Sequence, residues 1–105
     1  MTIKEQAEKI VKILEDKKAE DIELIYVADK TIISDWFIIC SGRSVPHVKA
    51  LCDEVDEKTK EFGLAKKRIE GYNDARWVVM DYGTILVHIF HPEEREYYKL
   101  GRLWQ

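Results

Sequence analysis

Arg76-Trp-Val-Val-Met-Asp81-Tyr-Gly-Thr84-Ile-Leu-Val-His-Ile-Phe90 is the stretch on which the fold turns. Two runs rich in β-branched and aromatic residues flank Tyr82-Gly83, the pattern of a β-hairpin. Placing Asp81 opposite Thr84 pairs Met80 with Ile85, Val79 with Leu86, Val78 with Val87 and Trp77 with His88. Side chains alternate along a strand, so Val78, Met80, Ile85, Val87 and Ile89 gather on one face, which is core. The other face collects Trp77, Val79, Asp81, Thr84, Leu86 and His88. A large aromatic beside a carboxylate and an imidazole suits a binding surface, where Trp supplies area and polar groups fix orientation. The same face also fits a second buried layer under a helix, with His88 satisfied by Trp or backbone, and the pattern alone favours that reading.

Downstream, Pro92 and the acidic residues after it open a helix predicted over Glu93–Trp104. Upstream, Gly71-Tyr-Asn-Asp74 reads as a loop and Lys66–Glu70 as a short, charged edge strand. Before these, Val45, Val48, Cys52, Val55, Thr59 and Phe62 recur at spacings of three and four. Ser44 is the N-cap, Pro46 lies in the first turn and Gly63 is the stop, which predicts a helix. Trp36-Phe-Ile-Ile-Cys40 is apolar on both faces, as in a central strand covered on both sides. Ile22–Ala28 predicts another strand. Thr2-Ile-Lys-Glu5 is a capping box for a first helix from about Thr2 to Lys18. The alternation of helices and strands predicts an α/β fold: a mixed, mostly parallel-plus-hairpin sheet of about five strands with helices on its faces, in one domain spanning residues 1–105.

The 105 residues are 46% hydrophobic and 35% charged, enough for one core and too apolar for wholesale disorder. No apolar run approaches a membrane span, and the first residues enter a charged helix without a signal-peptide core, so residence in the cytoplasm is expected and a membrane partner is not. The net charge is −3, from 17 basic and 20 acidic side chains. Without a basic stripe, autonomous nucleic-acid binding is disfavoured; mild acidity suits a basic protein partner.

Catalytic candidates are few. Cys40 and Cys52 sit on apolar patterns and read as buried hydrophobes rather than a disulfide or nucleophile. His88 and His91, three apart on a strand, point to opposite faces, and His47 lies elsewhere, so no metal is expected. Cys40-Ser-Gly-Arg-Ser44 is a strand–turn–helix that could cradle a phosphate, yet it lacks the spacing of a dinucleotide or P-loop motif. A small nucleotidyltransferase-like enzyme with its site at the Gly42–Ser44 turn is the alternative reading. It would need a carboxylate pair on an adjacent strand, and Asp35 and Asp81 stand isolated on theirs. No enzyme and no cofactor are expected.

Taken in order, Ser34-Asp-Trp-Phe-Ile-Ile39, Ser41-Gly-Arg-Ser44 with His47-Val48, Glu70-Gly71, Trp77-Val-Val-Met-Asp-Tyr-Gly83, Val87-His-Ile-Phe90, Arg95-Glu-Tyr-Tyr98 and Leu103-Trp104 resemble the Iojap-like ribosome silencing factors, over nearly the whole chain. The resemblance implies a nucleotidyltransferase-related fold without that activity, a homodimer, and binding to large-subunit ribosomal protein fourteen on the large ribosomal subunit. Occupying that site would block joining of the small subunit and repress translation during nutrient limitation. The expected ribosomal-protein contacts are Trp77, Asp81, Tyr82, Gly83, His88 and Phe90. One departure stands out. The family usually ends Tyr-x-Leu-Glu-x-Leu-Trp, whereas here Tyr98-Lys99-Leu100 is followed by Gly101, which removes a carboxylate and costs about 1 kcal/mol of helix propensity against Ala.

Overall fold

The computed structural model describes residues 1–98. The elements run α1 (Ile3–Asp16), β1 (Glu20–Tyr26), β2 (Trp36–Ser41), α2 (Val45–Glu61), β3 (Arg68–Glu70), β4 (Trp77–Asp81), β5 (Ile85–Phe90) and α3 (Pro92–Tyr98). The expected continuation of the last helix to Trp104, with Gly101 in it, lies outside the described residues. Among the described residues no helix is long and apolar enough to cross a membrane.

Local chemistry sets the helix ends. Thr2 caps α1 in a reciprocal box: Glu5 N–H donates to Thr2 Oγ1 at 3.1 Å, and Thr2 N–H donates to Glu5 Oε1 at 2.9 Å. Ser44 caps α2 by accepting from His47 N–H, Pro46 sits in its first turn, and Phe62 closes it just before Gly63.

The five strands form one sheet in the order β1-β2-β5-β4-β3, so β3 is an edge strand as its charge predicts. Only β2 and β5 run parallel; the other three pairings are antiparallel. The parallel share is thus smaller than expected, because β1 folds straight back onto β2 and β3, β4 and β5 form a meander. Trp36–Ser41 holds the position its two-sided apolarity requires, between β1 and β5.

The hairpin turn departs from expectation by one residue. Tyr82 stays in the ladder, donating its N–H to Ile85 O at 2.9 Å, and the two-residue loop is Gly83-Thr84. Gly83 takes φ +82°, where a side chain is disfavoured, and its N–H donates to Asp81 Oδ1 at 2.7 Å. Met80 therefore faces Val87 rather than Ile85, and Trp77 faces Phe90 rather than His88. The shift along β5 is two residues, an even number, so every side chain keeps its face.

One face packs on α1 and α2. Val78, Met80, Ile85, Val87 and Ile89 join Ile38 and Cys40 against Ala7, Ile10, Leu14, Val48, Leu51, Cys52 and Val55. Burying each of the larger aliphatic side chains contributes about 1.5–3 kcal/mol relative to leaving it in water. The opposite face carries a second cluster of Val27, Phe37, Ile39, Leu86 and Phe90, with Ile25, Trp77 and Val79 packed at its margins. α3 is tied to this face: Arg95 donates to Ser41 Oγ at 3.1 Å and to Glu23 Oε2 at 2.7 Å.

Candidate functional site

The face of the sheet turned away from α1 and α2 is where the hairpin places its mixed residues. At its centre Trp77 Nε1–H donates to His88 Nδ1 at 3.2 Å, and the indole stacks on Phe90 with centroids 5.0 Å apart. Phe37 flanks the imidazole at 4.9 Å. Accepting at Nδ1 fixes His88 as the neutral tautomer with its proton on Nε2. That Nε2 has no hydrogen-bond partner among the described residues, and His88 is only 6% exposed. Burial pushes its pKa down to about 4.

Toward the β3 edge the face becomes polar. Asp81 Oδ2 lies 3.4 Å from Arg68 Nε, and Arg68 also pairs with Glu70 at 3.8 Å. At the other end Arg76 bridges Glu93 at 2.7 Å and Glu94 at 3.2 Å, pinning α3 beside Trp77. The hydrogen bonds to Glu93 and Glu94 raise the Arg76 pKa, and the bond from Arg76 lowers that of Glu93.

The six residues expected to contact the partner do not form one patch. Trp77, His88 and Phe90 make the aromatic cluster, in which Trp77 is half-buried and His88 and Phe90 are buried. Asp81 and Gly83 lie at the turn, about four residues or 13 Å along the strand from Trp77. Tyr82 points through the sheet to the opposite core, where its hydroxyl meets Thr59 Oγ1 at 3.0 Å. Burial pushes that phenol up to about 12.

The Gly42–Ser44 turn is built around its own contacts. Gly42 N–H donates to Phe90 O at 2.9 Å, Arg43 N–H to His47 Nδ1 at 2.9 Å, and His47 N–H to Ser44 Oγ at 3.3 Å. Two of the turn's amides, those of Gly42 and Arg43, are thus engaged within the chain. Cys40 and Cys52 are buried, with thiols pushed up to about 12 by burial.

The sequence shows neither the bridging role of His47 nor the role of Arg95. His47 Nε2 reaches Lys17 O at 2.9 Å, so one imidazole joins the end of α1 to the turn before α2. No local pattern signals a partner thirty residues away. The Arg95 side chain, which links α3 to β1 and β2, was equally invisible.

The chain is matched over residues 1–105 by the family model described as ribosomal silencing factor during starvation, RsfS. It is 40% identical over 104 residues to the ribosomal silencing factor RsfS of Halalkalibacterium halodurans, covering 99% of this chain and 89% of that protein. With the Bacillus subtilis protein of the same name it shares 41% over 90 residues, 86% of this chain and 76% of that one. A crystal structure of a protein from Chromobacterium violaceum superposes with a TM-score of 0.95 at 35% identity, over 99% of this chain and 87% of the other. The chain belongs to the family of ribosomal silencing factors, RsfS.

Proposed function

We propose that this chain is a cytoplasmic translational repressor that binds the large ribosomal subunit through large-subunit ribosomal protein fourteen and blocks small-subunit joining by occupying space. The observation that carries this is the face opposite α1 and α2, where half-buried Trp77 and Val79 border a buried aromatic cluster and lead into the Asp81–Arg68–Glu70 edge. Amphipathic aromatics beside a polar rim are the composition of a protein interface. The formal charge of −3 favours encounter with a basic ribosomal protein. Family membership makes the ribosome the place to look, and the engaged Gly42 and Arg43 amides weigh against a nucleotide-using enzyme. Trp77, Asp81 and Gly83 would make the contact; His88 and Phe90 would hold the indole from beneath. Tyr82 would act only by fixing the turn from the core side.

The test is sedimentation of the protein with isolated large subunits, followed by addition of small subunits. The reading expects co-migration with large subunits and a depleted whole-ribosome peak; normal whole ribosomes would refute it. Trp77→Phe, which keeps the stacked ring and loses the indole N–H, and Asp81→Asn, which keeps an acceptor for Gly83 and loses the charge, locate the surface. Full binding by both would remove the hairpin from it. The same runs report whether the chain sediments as the homodimer that the resemblance implies.

A further inference from the structure

We infer that the loop between β1 and β2 carries a second contact surface: its tip, Ile32-Ile33, is an apolar knob that seats in an apolar depression on the same partner protein that meets the hairpin. The inference rests on the proposed reading of the chain as a binder of a ribosomal protein. Four large hydrophobic side chains stand exposed among the described residues, and apart from Met1 they all belong to this segment: Tyr26 at its base, with Ile32 and Ile33 at its tip. Ile32 is fully exposed and Ile33 is 64% exposed. Single exposed apolar residues are ordinary, but a concentration in one loop marks a place where surface is to be covered.

The loop is braced rather than loose. Val27 N–H donates to Asp35 O at 2.8 Å, closing its neck. Lys30 and Thr31 N–H groups donate to Val27 O at 2.9 and 3.0 Å, and Ile33 N–H donates to Thr31 Oγ1 at 3.2 Å. Ser34, buried, donates to Trp36 O. A β-branched side chain on a fixed loop has little rotamer freedom left to lose, so docking costs little entropy.

Position ties the knob to the hairpin. Asp35 and Trp36 N–H groups both donate to Thr84 O, at 3.0 and 3.1 Å. The loop therefore leaves the sheet at the end where Asp81 and Gly83 lie, and a partner at that turn meets the knob as well.

Chemistry selects the occupant. The tip lies between Asp29 and Asp35 with Lys30 the one cation of that stretch, too little positive charge to hold nucleic-acid phosphates, and the net negative charge is repelled by an anionic membrane surface. A second copy fits poorly, because two convex knobs meeting across a two-fold axis are not self-complementary. Two grooves on this chain, one between α1 and α2 lined by Lys9, Lys12 and Lys58 beside Ile13 and Phe62, the other lined by Asp53, Asp56 and Lys66 beside Ile69 and Tyr72, are both charged and poor receptors for bare aliphatics. A different protein with an apolar depression remains.

The test compares wild type with the Ile32→Ser/Ile33→Ser double variant for binding to purified large ribosomal subunits. Both side chains are in solvent in the free chain, so the melting temperature is expected to hold. The dissociation constant is expected to rise about tenfold or more. Wild-type binding with a change below about threefold overturns the knob and leaves the proposed function standing. No binding by wild type removes that function, and the knob with it. Self-association of wild type that the double variant abolishes, with subunit binding intact, overturns the inference in favour of a second copy.

Discussion

Lowering the pH from 7.5 to 5 should unfold this protein more easily, and His88 should account for the effect. The imidazole is buried between Phe37 and Phe90, with Nδ1 accepting from Trp77 and Nε2 without a hydrogen-bond partner among the described residues. Its pKa falls to about 4 in the folded chain, against about 6.5 when unfolded. The folded value is the lower one, so the unfolded chain binds the extra proton in the window between them. Stability is whole above about pH 6.5 and is lost as the pH falls toward 4. At about 1.4 kcal/mol per unit, the full loss is roughly 3 kcal/mol, of which about 2 kcal/mol has accrued at pH 5. Urea unfolding at the two pH values reads this directly. His88→Leu removes both the titrating ring and its unpartnered Nε2. At pH 7.5 the variant should stay within about 1 kcal/mol of wild type, since Trp77 is half-buried and water can serve its N–H. The decisive quantity is the difference between the two proteins' pH dependences. If His88→Leu loses as much stability as wild type between pH 7.5 and 5, His88 is not the group responsible.

Three further outcomes are expected. Thr2→Ala removes the side-chain arm of the α1 capping box, leaving Glu5 N–H without its Oγ1 acceptor, and should cost about 1 kcal/mol in chemical denaturation; an unchanged midpoint would mean the first turn frays in solution. Gly71→Ala should be far worse than the roughly 1–2 kcal/mol of a left-handed backbone alone, because Gly71 sits at φ +80° and a Cβ there collides with the Trp77 carbonyl oxygen; soluble expression with a wild-type melting temperature would contradict the packing at the start of β4. Cys40 and Cys52, with thiols at about 12, should react with a thiol reagent at pH 8 only after denaturant is added, and fast labelling of the native chain would place a thiol in solvent.

Much of the fold was legible because its signals are local. Thr2 and Glu5 are three residues apart, as are Ser44 and His47, so each cap could be read from a short window. Trp36–Ser41 declared its central place by being apolar on both faces. The hairpin turn was less legible, since two competing loops differ by one residue and the choice depends on Tyr82, which is drawn into the α2 core by Thr59. Parity protected the assignment of faces from that error. The candidate site was harder still. Alternation put Trp77 and His88 on the right side of the sheet but could not tell a half-buried indole from a buried imidazole. Nor could it show that Asp81 is already bonded to its own turn. The exposed Ile32-Ile33 tip was hidden because a short apolar run reads as strand or core until its surroundings are known.

The parallel seam between β2 and β5 has a consequence for how the chain folds. On one side of it stands the β1–β2 hairpin, on the other the β3-β4-β5 meander, each able to form from near neighbours in sequence. The seam itself brings Trp36 to Ile85, a separation of 49 residues. Closing such a loop costs roughly 3 kcal/mol of chain entropy beyond the fixed term. The two halves should therefore take shape first and zip together late, which makes the zipping the slow step. Truncating a side chain at the seam, Ile38→Val, should slow folding less than it speeds unfolding. Amide protons along β2 and β5 should be the last to exchange with solvent.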